Sequence, residues 1–164
     1  MENEKINLLL VDDEEDFLRS TKKRLEVRNF NVITVNNGTD AIAAARKTPI
    51  DVALVDLKMP GISGEETLAA LKKEHELLEV VILTGHGSID SAIETTKMGA
   101  YLYLQKPCDL ERLLEVLVDA YKKKVMNKMK IKENKMNALV NMATTSSPLS
   151  ILKRIKALDK EDEI

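Results

Sequence analysis

Apolar residues come in short bursts along this chain. Ile6 to Val11 reads INLLLV, Val32 to Val35 VITV, Val52 to Val55 VALV, Val80 to Leu83 VVIL, and Tyr101 to Leu104 YLYL. Each burst is short and largely apolar, which predicts parallel strands covered on both faces. Between the bursts the spacing turns helical. Phe17, Thr21, Leu25 and Arg28 mark one stripe, and Leu68, Leu71, His75 and Leu78 another. Ile42 with Ala45, Ile89 with Ile93, and Leu110 with Leu114, Leu117 and Tyr121 mark the rest. Five strand–helix units result, their strands starting 20–28 residues apart. This alternation predicts an α/β fold: a doubly wound parallel sheet between two layers of helices, because right-handed crossovers place helices on both faces.

The pattern changes after Tyr121. Apolar residues continue as Val125, Met129, Met136, Leu139 and Ala143, with Lys132 interrupting the row. Steps of four and three predict an extended C-terminal helix with a coiled-coil-like seam. Thr144-Thr145-Ser146-Ser147-Pro148 reads as a break, and Leu149 to Leu158 as a short amphipathic piece before an acidic end.

Charge follows the same boundary. The net charge of −2 averages two unlike parts. Residues 1–121 carry 14 basic and 22 acidic side chains, a net of −8, and residues 122–164 carry 11 and 5, a net of +6. The chain therefore reads as an acidic body, residues 4–121, and a basic, partly flexible helical extension, residues 122–164. A hydrophobic content of 44% is enough for a core and argues against disorder throughout. No apolar run approaches the roughly 20 residues of a membrane span, so no membrane partner is expected. The Met1-Glu2-Asn3-Glu4-Lys5 start lacks the basic-then-apolar order of a secretory signal. Cys108, the single cysteine, excludes an intrachain disulfide and a multi-cysteine zinc site. A cytoplasmic location is the expectation.

In doubly wound sheets ligands bind beyond the carboxyl ends of the strands. There the chain places Asp12 to Asp16 after the first strand, Asp56 after the third, Thr84 and Gly85 after the fourth, and Lys106 and Pro107 after the fifth. Asp12, Asp13 and Asp56 should converge, and three carboxylates in a small volume call for a proton or a cation. A hard divalent ion fits, and Mg²⁺ above all, since it accepts few carboxylates and keeps its waters. Lys106 adds a fixed ammonium, Thr84 a hydroxyl, and Gly85 a backbone N–H that can approach closely with no Cβ in the way. Metal, ammonium, hydroxyl and N–H are the groups that stabilise a phosphoryl group in transfer, with one carboxylate left as nucleophile.

Each residue alone has an ordinary reading: Asp12 and Asp13 as helix caps, Asp56 as a turn residue, Thr84 as an N-cap, Lys106 as a solvated lysine. Their joint occurrence on one edge favours the site. A nucleotide-binding protein of this fold would need a glycine-rich cradle after the first strand, where five acids stand instead. A phosphohydrolase with an Asp nucleophile usually has a second acid two residues on, where this chain has Lys58.

Four motifs carry a resemblance: LLLVDDEED at 8–16, ALVDLKMPGISG at 53–64, ILTGHGS at 82–88 and YLYLQKPCDLERLLEVL at 101–117. In this order and spacing they resemble the receiver domain of response regulators in bacterial two-component signalling. The 82–117 stretch is similar to receivers that precede the ATPase of enhancer-binding regulators, a module for which the remaining residues are too few. The resemblance implies a flavodoxin-like (βα)₅ fold with strand order 2-1-3-4-5. It implies Asp56 as phosphoacceptor, Asp13 as a direct Mg²⁺ ligand, Asp12 as one acting largely through water, and the Lys58 backbone carbonyl as another. Lys106 and Gly85 would contact the phosphoryl group, Thr84 would move to bond it, and Tyr103 would be the aromatic switch. The Lys106–Pro107 bond would be cis, and Lys58 and His86 would occupy places that tune phosphoryl lifetime. No key position departs from the pattern.

The implied partners are a histidine kinase or phosphotransfer protein and a downstream protein target. The chain would catalyse its own phosphorylation and dephosphorylation without being a turnover enzyme. A homodimer would use either the C-terminal helix or the face of the fourth helix, fifth strand and fifth helix. The alternative is a receiver whose basic tail touches DNA through Lys122-Lys123-Lys124. The tail has no aromatic residue and no arginine before Arg154, which poorly serves base stacking or bidentate readout, so nucleic acid is not the expected partner. His75 is read as a packing residue on its helix, His86 as solvent-facing, and Cys108 as without a role.

Overall fold

The computed structural model of the protein describes residues 4–145 and 147–161. Five strands, β1 (Ile6–Val11), β2 (Phe30–Val35), β3 (Val52–Val55), β4 (Glu79–Thr84) and β5 (Leu102–Gln105), alternate with α1 (Glu15–Glu26), α2 (Gly38–Lys47), α3 (Gly64–Glu74), α4 (Ile89–Lys97) and α5 (Leu110–Thr145). A last helix, α6 (Pro148–Glu161), follows. All strand pairs are parallel, in the order β2-β1-β3-β4-β5. The chain divides into two units, one reaching to Lys124 and one from Val125 onward.

Within the first unit, the two-residue period of the strands splits the core in two. Leu8, Leu10, Val52, Leu54, Val81 and Leu83 face one way, onto Leu18 and Leu25 of α1 and Leu113, Val116, Leu117 and Ala120 of α5. Leu9, Val11, Ala53, Val55, Val80 and Ile82 face the other way, onto Ala41 and Ala45 of α2 and Leu68 and Leu71 of α3. Both faces of the sheet are thus dry, which explains the unbroken apolar runs. Leu117 is fully buried where α5 crosses the sheet. Leu117→Ala is expected to destabilise the first unit by about 2–5 kcal/mol through a cavity that its neighbours cannot fill, read by denaturant unfolding.

Several stripes sit differently from their sequence expectation. The α5 row inward of Leu117 runs through Leu113, Val116 and Ala120, while Leu110, Leu114 and Tyr121 are half-buried at its margin. Ala41, not Ile42, is the fully buried residue of α2. Arg28 lies past the end of α1, where its guanidinium donates to the Arg24 carbonyl. His75 is the C-cap of α3 and half-buried, and Leu78 is buried beyond the helix. The largest departure is α4: Ile89 and Ile93 are 81% and 50% exposed, and the buried position is Thr95. Small residues turn inward there, with the Thr95 hydroxyl donating back to the Ser91 carbonyl.

At the amino-terminal edge of the sheet, opposite the site, the end of the first unit is tied down by lysines. Lys124 Nζ donates to Asp51 Oδ1 at 2.7 Å and to the Ile50 carbonyl at 3.2 Å. Lys123 Nζ lies 3.7 Å from the buried Glu79 carboxylate and 5.4 Å from the centroid of the Tyr101 ring. Two of the three consecutive lysines thus answer carboxylates of the unit's own base. Among the described residues, no helix is long and apolar enough to cross a membrane.

Candidate functional site

The site forms because adjacent strands end in register. Val11 pairs with Val35 and Val55, so the next residues, Asp12 and Asp56, emerge side by side. Asp56 N–H donates to the Val11 carbonyl at 3.0 Å and locks that adjacency. One residue further, Asp13 stands exposed at the rim. One carboxylate oxygen from each of Asp12, Asp13 and Asp56 lies within 4.8 Å of the other two. Asp12 and Asp56 are nearly inaccessible, at 1% and 3%.

Lys106 arrives from the far side. β4 and β5 end together, and Lys106 N–H donates to the Thr84 carbonyl at 2.9 Å. The side chain then reaches across, with Nζ 2.5 Å from Asp12 Oδ2, 3.9 Å from Asp56 Oδ2 and 4.0 Å from Glu14 Oε1. The ammonium also sits 4.0 Å from the Phe17 ring centroid, a cation–π contact that holds the stem in place. The Lys106–Pro107 bond is cis, as the resemblance implies.

The electrostatics are unbalanced. One ammonium faces three clustered carboxylates, with Glu14 nearby. Burial pushes the Asp12 carboxyl above its ordinary value, although the Lys106 hydrogen bond and the Glu14 N–H pull the other way. Asp56 Oδ1 is buried with no hydrogen-bond partner. An unpaired buried carboxylate oxygen is costly, and it is the atom a cation or an incoming electrophile would meet. The donor set fits a hard divalent ion: hard oxygens, two buried and one at the rim.

The family profile described as the response regulator receiver domain matches residues 8–118. The chain belongs to this family. Over 120 residues it is 32% identical to the transcriptional regulatory protein GlrR of Escherichia coli (strain K12), covering 73% of this chain and 27% of that protein. The chain thus spans about a quarter of the length of this curated relative. The crystal structure of a response regulator receiver domain protein from Clostridium thermocellum is 35% identical, with a TM-score of 0.70, covering 74% of this chain and 98% of that one. The solution structure of the beryllofluoride-activated NtrC4 receiver domain dimer is 30% identical, with a TM-score of 0.69, covering 72% of this chain and 98% of that one. Two-component signalling is therefore the setting of this chain.

Around the acidic cluster, the receiver opens a cavity of about 680 Å³ lined by Asp13, Lys58, Met59, Glu66, His86 and Ser91. Lys58 and His86 stand exposed at its mouth. Thr84 is fully buried, and its Oγ1 accepts from the His86 N–H at 3.1 Å. Tyr103 leans on the turn between β4 and α4, its hydroxyl 3.4 Å from Ser91 Oγ. A Cβ on Gly85 would lie 3.9 Å from Lys106 Cβ, an ordinary contact, so space does not demand glycine at this position.

Beside the site, Gly64 and Gly87 leave no room for a Cβ, and sequence reasoning passed over them. A Cβ on Gly64 would come within 2.3 Å of the Asp56 carbonyl oxygen and 2.5 Å of Leu57 Cα. The start of α3 therefore presses directly on the backbone that carries Asp56, with Gly64 N–H donating to the Leu57 carbonyl at 2.8 Å. A Cβ on Gly87 would overlap the Tyr103 hydroxyl, so this glycine makes the seat on which Tyr103 rests. The only sequence signal for either is its place within a quoted motif. Phe17 and Glu14 likewise flank Lys106 unannounced. Cys108 is half-buried just past the cis bond, and burial pushes its thiol pKa up, away from thiolate chemistry.

Proposed function

We propose that this chain is the phosphoacceptor of a two-component phosphorelay, receiving a phosphoryl group on Asp56 from a histidine kinase or phosphotransfer protein. The observation that carries the reading is Asp56 Oδ1, buried and unpartnered, in a cluster of three carboxylates with Lys106 beside it. A carboxylate oxygen of Asp56 forms a bond to phosphorus as the P–N bond to a donor phosphohistidine breaks, and the imidazole leaves with the bonding pair. Hydrolysis of the resulting acyl phosphate by water regenerates the carboxylate. The chain is thus a signalling domain that acts on itself, not a turnover enzyme.

Asp12, Asp13 and Asp56 would hold Mg²⁺, with the Lys58 backbone carbonyl as a further ligand. The ion would supply positive charge against the phosphoryl oxygens. Lys106 takes charge on another phosphoryl oxygen, and the Gly85 N–H adds a donor. Thr84 already accepts from the His86 N–H, so its own hydroxyl proton is free to be given to the phosphoryl group. Moving Thr84 toward Asp56 loosens the β4–α4 turn, and Tyr103, seated on that turn, shifts with it. Phosphorylation thereby biases a two-state surface around α4, β5 and α5, where a downstream protein would read it. The exposed Ile89 and Ile93 of α4 lie on that surface.

The division into a receiver at 4–121 and a basic extension at 122–164, and a cytoplasmic location, belong to the same proposal. A homodimer through the α4-β5-α5 face or the C-terminal helix is consistent with it, and a receiver dimer is known for NtrC4. The DNA-contacting alternative is less supported, since Lys123 and Lys124 are engaged by Glu79 and Asp51.

The test is incubation with a small acyl phosphate, read by intact mass. One phosphoryl group is expected on Asp56 with Mg²⁺ present. Chelation is expected to suppress labelling, by about a hundredfold or more if the ion acts as such charge stabilisation does elsewhere. Equal labelling with and without the ion would remove Mg²⁺ from the reading.

A further inference from the structure

Another cavity, of about 450 Å³, opens between α1 and the start of α5. α1 turns Phe17, Thr21 and Arg24 toward it, spaced four and three along one helix face, and the apolar walls include Leu83, Leu110 and Leu113. Thr21 is only 6% exposed, yet its hydroxyl has no hydrogen-bond partner among the described residues. The buried threonines of α3 and α4 behave otherwise. Thr67 and Thr95 donate back to the carbonyls of Ser63 and Ser91, each at 2.8 Å. The matching acceptor for Thr21 is the Phe17 carbonyl, which accepts from the Ser20 hydroxyl at 3.4 Å instead. A buried hydroxyl left unbonded is costly, and the space beside it is where a partner would sit. Arg24 stands at one end of the same space. On α1, Arg19 answers Asp16 and Lys22 answers Glu26, whereas among the described residues no carboxylate forms an ion pair with Arg24. At the other end Glu14 and Lys106 lie 4.0 Å apart and answer each other.

We propose that this cavity binds a small amphipathic carboxylate, with its anionic end on Arg24 and the Thr21 hydroxyl and its apolar body between Phe17 and the two leucines of α5. A volume of this size, apolar walls and a few convergent polar groups are the attributes of a small-molecule site. Charge sets the orientation, because the only cation at the cavity without an acidic partner is at the Arg24 end. A guanidinium there matches a carboxylate with two parallel hydrogen bonds. The body would rest against Phe17, whose ring carries the Lys106 ammonium at 4.0 Å, so an occupant reaches the acidic cluster through a single side chain. Binding needs no phosphoryl group and stands apart from the phosphoacceptor reading.

The experiment is a titration of the full chain, without phosphodonor, with 2-naphthoate, decanoate and the uncharged 2-naphthamide, followed by backbone amide NMR shifts. At least one of the two carboxylates is expected to dissociate at about 1 mM or tighter and to shift amides of residues 17–24 and 108–113. The amide should bind about tenfold more weakly than 2-naphthoate. Arg24→Gln should weaken the carboxylate by about tenfold and Thr21→Val by about fivefold. Without any probe, Thr21→Val should unfold at no lower denaturant concentration than the parent, since it removes a hydroxyl that bonds nothing. Three results overturn the proposal. Neither carboxylate shifts those amides; 2-naphthamide binds as tightly as 2-naphthoate, which leaves an apolar cavity with no choice of anion; or Thr21→Val unfolds earlier than the parent, which shows a hydroxyl already bonded. Acyl-phosphate labelling of the parent without probe tests the phosphoacceptor reading alone, and its loss would leave the binding result standing.

Discussion

Asp56→Asn is expected to abolish labelling by a small acyl phosphate while the protein stays folded. The amide is nearly the same size as the carboxylate but carries no charge and is a far weaker nucleophile, so the step that makes the bond to phosphorus is lost. Stability should not suffer. Asp56 Oδ1 has no hydrogen bond to lose, and the Val11–Asp56 backbone bond is untouched. Electrostatically, the change removes repulsion from Asp12 and Asp13 and one attraction to Lys106 at 3.9 Å. Each such pairing is worth between about 1 kcal/mol in water and about 4 kcal/mol at an effective dielectric near 20, so two lost repulsions at least balance one lost attraction. Thermal melts in metal-free buffer should show the variant at least as stable as the parent, and calorimetry should show weaker Mg²⁺ binding. Undiminished labelling of a folded Asp56→Asn protein would falsify the assignment and move the phosphoacceptor to Asp12 or Asp13.

The fold and the site were legible in the sequence to different depths, for physical reasons. A parallel sheet dry on both faces must be written as continuous apolar runs, so all five strands were visible, wrong by at most two residues at any end. Residues at the carboxyl ends of strands stand out because polar groups interrupt those runs abruptly, and this brought Asp12, Asp56, Thr84 and Lys106 to notice. Helix facing was less visible. Periodicity in α4 points to Ile89 and Ile93, yet these are exposed, while Thr95 is the buried residue and Ser91 meets the Tyr103 hydroxyl. An apolar residue kept at the surface looks the same in a sequence as one in a core. Gly64 and Gly87 were missed because their role is an absence. What matters is the atom each lacks, and only the positions of the Asp56 carbonyl and the Tyr103 hydroxyl show why. The lysines after Tyr121 were legible as charge but not as contacts. A basic run suggests a polyanion, but Lys123 and Lys124 face Glu79 and Asp51, distant in sequence.

Lys106→Met should separate two roles that a single ammonium combines. In metal-free buffer, Lys106 is the partner of Asp12, at 2.5 Å in a nearly inaccessible place. Removing one member of a buried pair leaves an uncompensated charge, so the variant should lose about 3–5 kcal/mol in denaturant unfolding. The thioether keeps much of the stem's packing against Phe17, which confines the loss to charge. The same change should strengthen Mg²⁺ binding. The ammonium and a divalent ion compete for Asp12 and Asp56, and deleting a positive charge 2.5 Å from Asp12 and 3.9 Å from Asp56 removes several kcal/mol of unfavourable interaction before screening. A tenfold or greater fall in the dissociation constant, measured by calorimetry, is the expected result, and saturating Mg²⁺ should recover most of the lost stability. Labelling should move the other way. Charge that develops on the phosphoryl oxygen facing Lys106 would lose its donor, at about 10²–10³ in rate. Tighter metal binding with slower phosphorylation would show that the cluster is tuned for transfer at the expense of metal affinity. If Mg²⁺ affinity instead falls with the labelling rate, Lys106 is supporting the metal site through geometry, and its place opposite the ion is wrong.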